Sequence, residues 1–237
     1  MRKITCENCA IRSMSVVADL PDDRLEEFRN CGAAAIYKPR QVVFHEGTPA
    51  GGLYIVCHGA VKLYQSDRFG RDYILGVSSP GDVLGEMPLD PTEPYSVSAE
   101  ALTETQLCYL PREKLVQFIQ IHPMIGVRLI AALSKALSGA RKKARDLALK
   151  RAETRLAELL NQLAMDATPS GSNGEMSFRL TYSRREVAEM IGVSTETAIR
   201  LLARLKRKKI IAGTQREIVI TDVERLSRLA THGEIGS

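Results

Sequence analysis

The chain has 237 residues, 44% of them hydrophobic and 26% charged, with a formal net charge of +5 and a mean hydropathy of −0.12. This composition suits a globular chain of one large or two modest domains. No apolar run approaches the ~20 residues that a membrane span needs, and Met1-Arg2-Lys3-Ile4-Thr5-Cys6 leads into no apolar signal core, so a cytoplasmic location without membrane contact is expected. Five cysteines, an odd number in such a chain, point away from a disulfide framework and toward thiols or metal ligands. Charge is unevenly spread. Residues 1–140 carry 14 Lys and Arg against 16 Asp and Glu, a balance of −2; residues 141–237 carry 19 against 12, a balance of +7. A basic second half predicts a polyanionic partner.

Residues 1–19 read as a short arm carrying Cys6 and Cys9. A brief helix follows, opened by Pro21-Asp22-Asp23 and running through Leu25 and Phe28. From about residue 36 to 111 the pattern changes to short β-favouring runs at 53–57, 61–64 and 73–75. Gly47, Gly52, Gly59, Gly70, Gly76, Gly81 and Gly85 fall between or within them. Such regular punctuation predicts a sandwich or barrel.

A long helix is expected from about 123 to 151. Its apolar residues Ile130, Leu133, Leu137, Ala140, Ala144 and Leu147 alternate spacings of three and four, the seam that lets two paired helices keep facing each other. Small residues at 140 and 144 allow close approach, while Arg141, Lys142, Lys143 and Arg145 oppose pairing by like-charge repulsion. A dimer helix is favoured over a helix packed on its own barrel. A further helix over 155–164 precedes a loop at 166–175 rich in Ser, Gly, Pro and Asn.

Residues 178–181 read as a short strand. Ser183-Arg-Arg-Glu186 has capping-box spacing, and the helix it opens stops at Gly192, which can turn the chain sharply. Ser194 caps a second helix from Thr195 to about Lys208, with Ala198, Leu201, Leu202 and Leu205 on its inner face. Helix, glycine turn and capped helix make a helix-turn-helix. Thr195, Glu196, Ile199 and Arg200 lie near the second helix's start, where side chains reach base edges in the major groove of double-stranded DNA. Arginine can bond guanine O6 and N7 together, and glutamate can accept from cytosine N4. Six of the ten residues from 200 to 209 are Lys or Arg. Arg204, Lys206, Arg207, Lys208 and Lys209, with Ser183, are assigned to phosphates. Residues 210–220 read as a hairpin that completes a winged helix. Histidines at 45, 58, 122 and 232 show no metal-binding spacing, and no nucleophile elbow or phosphate loop occurs, so no enzyme is expected.

With these parts in place the chain resembles the Crp/Fnr superfamily of bacterial transcription regulators, most specifically through Ser194-Thr-Glu-Thr-Ala-Ile-Arg200 followed by Leu201-Leu202. The resemblance implies an α+β fold: an N-terminal β-roll of the cyclic-nucleotide-binding type, a long dimerisation helix and a C-terminal winged helix-turn-helix. It divides the chain into an arm (1–19), a roll (20–122), a dimer helix (123–151) and a DNA-binding domain (152–237). It further implies a homodimer that reads a palindromic site with TGA-like half-site cores and meets RNA polymerase. Arg200 would read guanine and Glu196 the opposite strand.

Four readings of the signal are weighed. Gly81-Asp-Val-Leu-Gly-Glu86 resembles the family's phosphate-binding stretch, but the arginine expected nine to ten residues after Glu86 is replaced by Tyr95 and Ser96. A buried phosphate without a counter-charge is costly, so cyclic AMP is disfavoured. Cys6-Glu-Asn-Cys9 can chelate one metal centre. It resembles the oxygen-sensing branch, whose iron–sulfur cluster, [4Fe-4S] by that resemblance, uses C-x₂-C-x₅-C and a fourth cysteine in the roll. Cys108 matches that fourth position, Ser15 stands where the third cysteine is expected, and Cys31 is the substitute. The remaining readings are a thiol–disulfide switch among the same cysteines, or haem on His45 or His58. Cys57, in an apolar strand, is read as a small buried hydrophobe.

Overall fold

The computed structural model describes residues 16, 20–70, 72–86, 92–165, 176–179, 182–214 and 217–232. The arm cysteines Cys6 and Cys9, Ser15, Thr181 and the loop at 166–175 lie outside the described residues. The chain forms two compact units, 1–140 and 141–237, so the division falls inside the long helix.

The first unit begins with α1 (Asp22–Cys31) and continues through eight strands. These are β1 (Ala33–Tyr37), β2 (Val42–Phe44), β3 (Gly52–His58), β4 (Val61–Ser66), β5 (Asp72–Ser78), β6 (Val83–Leu84), β7 (Ser98–Ala101) and β8 (Thr105–Pro111). They build two four-stranded sheets, ordered β1-β8-β3-β6 and β2-β7-β4-β5, with antiparallel pairing such as Ile55 opposite Cys108 and Leu63 opposite Ala99. The two-residue period of a strand sorts its side chains. Val56 and Leu107 point into a core shared by both sheets with Phe44, Val61, Leu84 and Ala99. Leu53, Ile55, Cys108 and Leu110 point the other way, into a second core.

That second core is roofed by helices. α2 (Arg112–Ile121) contributes Leu115 and Phe118, α3 (Pro123–Leu149) contributes Ile125 and Leu129, and α1 contributes Leu25 and Phe28. Phe28 meets Phe118 edge to face at 5.3 Å, the favoured geometry for aromatic quadrupoles. α2 and α3 meet at a 120° bend. The alternative reading of the long helix, packing on its own roll, therefore describes its first turns, whereas Ile130, Leu133 and Leu137 are 65%, 55% and 52% exposed.

The second unit contains α4 (Ala152–Met165), β9 (Met176–Arg179), α5 (Arg184–Ile191), α6 (Thr195–Arg207), β10 (Ile211–Gly213), β11 (Glu217–Ile220) and α7 (Val223–His232). Its core joins Leu156 and Leu160 of α4, Val187 and Ile191 of α5, Leu202 and Leu205 of α6, Ile218 and Ile220 of β11, and Leu226 and Leu229 of α7. The expected hairpin gains β9 as a third strand, in the order β10-β11-β9. Helices α2 and α7 were not anticipated. Asp222 opens α7, its carboxylate accepting from the Arg225 amide at 2.8 Å. Among the described residues no single helix is long and apolar enough to cross a membrane. The whole is a mixed α and β fold.

Candidate nucleic-acid interface and sensor region

The helix-turn-helix is held by local chemistry. At the start of α5 the Ser183 hydroxyl accepts from the Glu186 amide at 3.2 Å, and the Glu186 carboxylate accepts from the Ser183 amide at 2.6 Å. Two orphan donors of the first turn are thus satisfied reciprocally. Gly192 ends α5 with φ 66° and ψ 51°, the left-handed region that glycine enters without a Cβ penalty. Ser194 then caps α6, accepting from the Thr197 amide at 3.2 Å.

Burial of Ala198, Leu201, Leu202 and Leu205 sets the helical phase, so Glu196, Ile199, Arg200, Ala203 and Arg207 share the opposite face. All five are exposed, and Ile199 is 50% exposed. Thr195 is half-buried beside them. The Glu196 carboxyl is held below the usual carboxylate range by its own backbone amide and by the Ser194 hydroxyl. It therefore stays an anionic acceptor at neutral pH.

The basic run divides by partner. Arg204 lies 3.2 Å and Lys208 3.9 Å from the Glu153 carboxylate in the first turn of α4. Lys206 donates to the Gly213 carbonyl at 2.7 Å. Arg207 and Lys209 are exposed and have no salt bridge among the described residues. Arg184 reaches from the first turn of α5 to the Thr214 carbonyl, 3.3 Å away at the end of β10. Sequence reasoning missed Glu153, for nothing in the run of cations announces a carboxylate some fifty residues earlier. It also missed Arg155, whose guanidinium reaches the carbonyls of Lys150 and Ile191.

In the roll, Tyr95 occupies the place where a phosphate-binding cation was expected. Its ring stacks on Phe44 at 4.1 Å, and its hydroxyl donates to the Gly52 carbonyl at 2.8 Å. Burial, reinforced by Tyr109, pushes that hydroxyl above the ordinary phenol value, so it stays neutral. Both Glu86 carboxylate oxygens are taken by Ser96, one by its amide at 2.7 Å and one by its hydroxyl. Gly85 has φ +87°, and a Cβ there would lie 3.1 Å from the Tyr95 ring.

Cys108 is buried in the apolar core under the helices, and Cys31 and Cys57 pack against its edge. Burial pushes the Cys31 thiol up, against the opposing pull of Lys114. Among the described residues no three His, Cys, Asp or Glu side chains are grouped to hold a metal ion. Val16 is buried in the same core as Cys108, and its carbonyl lies 3.5 Å from Arg128 Nη1 of α3. Val16 therefore lies against α3 and the face of β8 that carries Cys108. His45 and His58 are both exposed.

The architecture agrees with known proteins. A cyclic nucleotide-binding domain model matches residues 35–122, and a Crp-like helix-turn-helix domain model matches residues 154–229. The chain is 28% identical over 228 residues to the transcriptional activator protein anr of Pseudomonas aeruginosa, covering 95% of this chain and 92% of the relative. It is 31% identical over 225 residues to the transcriptional activator protein FnrL of Cereibacter sphaeroides, covering 93% and 90%. Among solved structures, FixK2 from Bradyrhizobium japonicum superposes with a TM-score of 0.71 at 26% identity, covering 87% of this chain and 99% of that one.

Proposed function

The chain belongs to the Crp/Fnr family of DNA-binding transcription regulators, and from that premise we propose that it acts as a homodimer on a palindromic DNA site under redox control. Dimerisation rests on the stripe of Ile130, Leu133 and Leu137, left exposed along α3 in the register that a second copy of the helix would cover. Glu196, Ile199, Arg200 and Thr195 read bases of a TGA-like half-site. Arg207 and Lys209 are the phosphate contacts with no salt bridge among the described residues. Ser183 and Lys206 add to the phosphate contacts in this reading, and Arg204 and Lys208 have to leave or share Glu153 to join them. RNA polymerase is the partner that the family implies.

The observation that carries this reading is the capped α6, which presents Glu196 and Arg200 on one exposed face. Fluorescence anisotropy with a palindromic duplex tests it. Arg200→Ala should weaken binding by about 1–3 kcal/mol and relax discrimination at the guanine it reads. Equal affinity of the native protein for a duplex with scrambled cores would overturn it.

The redox reading places the signal on Cys6 and Cys9 with Cys108, and Cys31 as a further thiol. The described residues do not by themselves form a cluster site, so no step is derived through one. What supports the reading is reach. Cys9 lies seven residue steps before Val16, at most about 25 Å of extended chain, and Val16 shares its core with Cys108. Cyclic AMP is disfavoured because the neutral Tyr95 ring stands where a cation would neutralise a phosphate, and a buried phosphate without a counter-charge is costly. Anaerobic absorption spectra with iron and acid-labile sulfide counts decide the metal question. Broad visible absorption with matched iron and sulfide establishes a cluster. Protein that stays colourless after reconstitution leaves Cys6 and Cys9 as thiols.

A further inference from the structure

Helix α5, the first helix of the helix-turn-helix, and the end of α3 are fastened through one side chain. Arg155, in the first turn of α4, donates through Nε to the carbonyl of Ile191, the last residue of α5, at 2.8 Å. Its Nη1 donates to the carbonyl of Lys150, just past the end of α3, at 2.6 Å and lies 3.5 Å from the Leu147 carbonyl. The last carbonyls of a helix lack intrahelical partners and carry its partial negative charge. One planar guanidinium, with five donors in a rigid fork, caps two such ends at once in a geometry that a freely rotating ammonium does not preset.

A second contact lies beside the first. A Cβ at Gly192 would come 2.6 Å from Leu147 Cδ2, so the turn of the helix-turn-helix rests directly on the last turn of α3. The packing of α4 on α5 has its own apolar support in Leu156, Leu160, Val187 and Ile191. Loss of Arg155 therefore leaves that core intact while loosening the end of α3 from α5.

We propose that Arg155 is a positioning residue that fixes the attitude of the recognition helix to the last turns of α3, and so sets how strictly a dimer measures the distance between half-sites. The inference rests on the dimeric DNA-binding reading above. Two heads on one duplex must sit about one helical turn apart, about 34–36 Å. Once the first head is seated, the second binds at an effective concentration that depends on how rigidly it is carried. A loosened junction leaves each head able to bind but wastes that gain.

The test compares a duplex carrying the full palindrome with one whose second half-site is scrambled. Arg155→Ala should bind the single half-site within about two-fold of the native protein yet lose about ten-fold or more on the full palindrome. It should also tolerate insertion of one base pair between half-sites better than the native protein does. Arg155→Lys keeps the charge without the fork and should fall with Arg155→Ala; it decides the matter if the alanine variant does not fold. An unchanged ratio of full-site to half-site affinity in a folded variant overturns the proposal, as does an equal loss on both duplexes. Native protein with no preference for the full palindrome would instead defeat the dimeric reading itself.

Discussion

At Ser183 a single hydroxyl and the Glu186 carboxylate settle where the first helix of the DNA-binding motif begins. Removing such a cap costs about 1 kcal/mol, so Ser183→Ala should lower the thermal midpoint by a few degrees in a calorimetric scan, with the secondary structure kept. Glu196 and Arg200 differ from Ser183 in kind. Both are exposed and contribute little to folding, so their substitution should leave the midpoint unmoved and change only DNA binding. Tyr95 shows the same economy inside the roll, where one aromatic ring stacked on Phe44 takes the place of a cation. Titration with cyclic AMP should give no measurable heat, whereas saturable binding would mean that the phosphate finds a counter-charge elsewhere.

At the scale of elements, one apolar stripe along α3 meets two fates. Ile125 and Leu129 are buried against the roll, while Leu133 and Leu137 remain exposed. Leu137→Glu should convert a dimer into a folded monomer in sedimentation velocity, because a buried unpaired charge at a helix seam is costly and an exposed one is not. The end of the same helix is tied to α4 by ion pairs. Asp146 lies 3.1 Å from both Lys150 and Arg145, and Lys150 also pairs with Glu158. Desolvation raises the Asp146 carboxyl, but the hydrogen bonds from Lys150 and Arg145 outweigh it and hold it below its ordinary value of 3.8. A carboxyl depressed in the fold lends stability above its unfolded pKa and loses it as pH falls through the folded one. Native protein should therefore lose stability below about pH 4 more steeply than Asp146→Asn, read from denaturant midpoints across pH.

At the scale of the whole molecule, the −2 and +7 balances of residues 1–140 and 141–237 coincide with the two compact units. Binding to DNA should weaken linearly in log–log plots against salt, by about 0.9 in slope per phosphate neutralised. Arg207→Ala should shallow that slope by about 1 and weaken matched and mismatched duplexes alike. Arg200→Ala should act mainly on the matched one.

Much of this was legible without coordinates because it is local. Capping boxes, glycine turns and three-to-four apolar spacing are written within a few residues of one another, so α5, α6 and α3 were placed within a few residues of their observed ends. Helix α7 carried a readable signal in Asp222 followed by Leu226 and Leu229, and it was overlooked after the hairpin. Sheet order was not readable. β8 lies between β1 and β3, and nothing in a strand's own residues names a partner tens of positions away. The same limit applies to charge. Counting cations gave the sign of the surface, but which of them remain available depended on Glu153 folding back onto Arg204 and Lys208.

The sequence by itself determined the element types, the capped recognition helix and the basic half, because hydrogen bonding and side-chain periodicity act over one or two turns. Only the tertiary structure decided that Tyr95 is stacked on Phe44, that Leu133 and Leu137 are left uncovered, and that Arg155 joins two helix ends. Those facts depend on which distant surfaces meet, and that is set by the packing of whole elements.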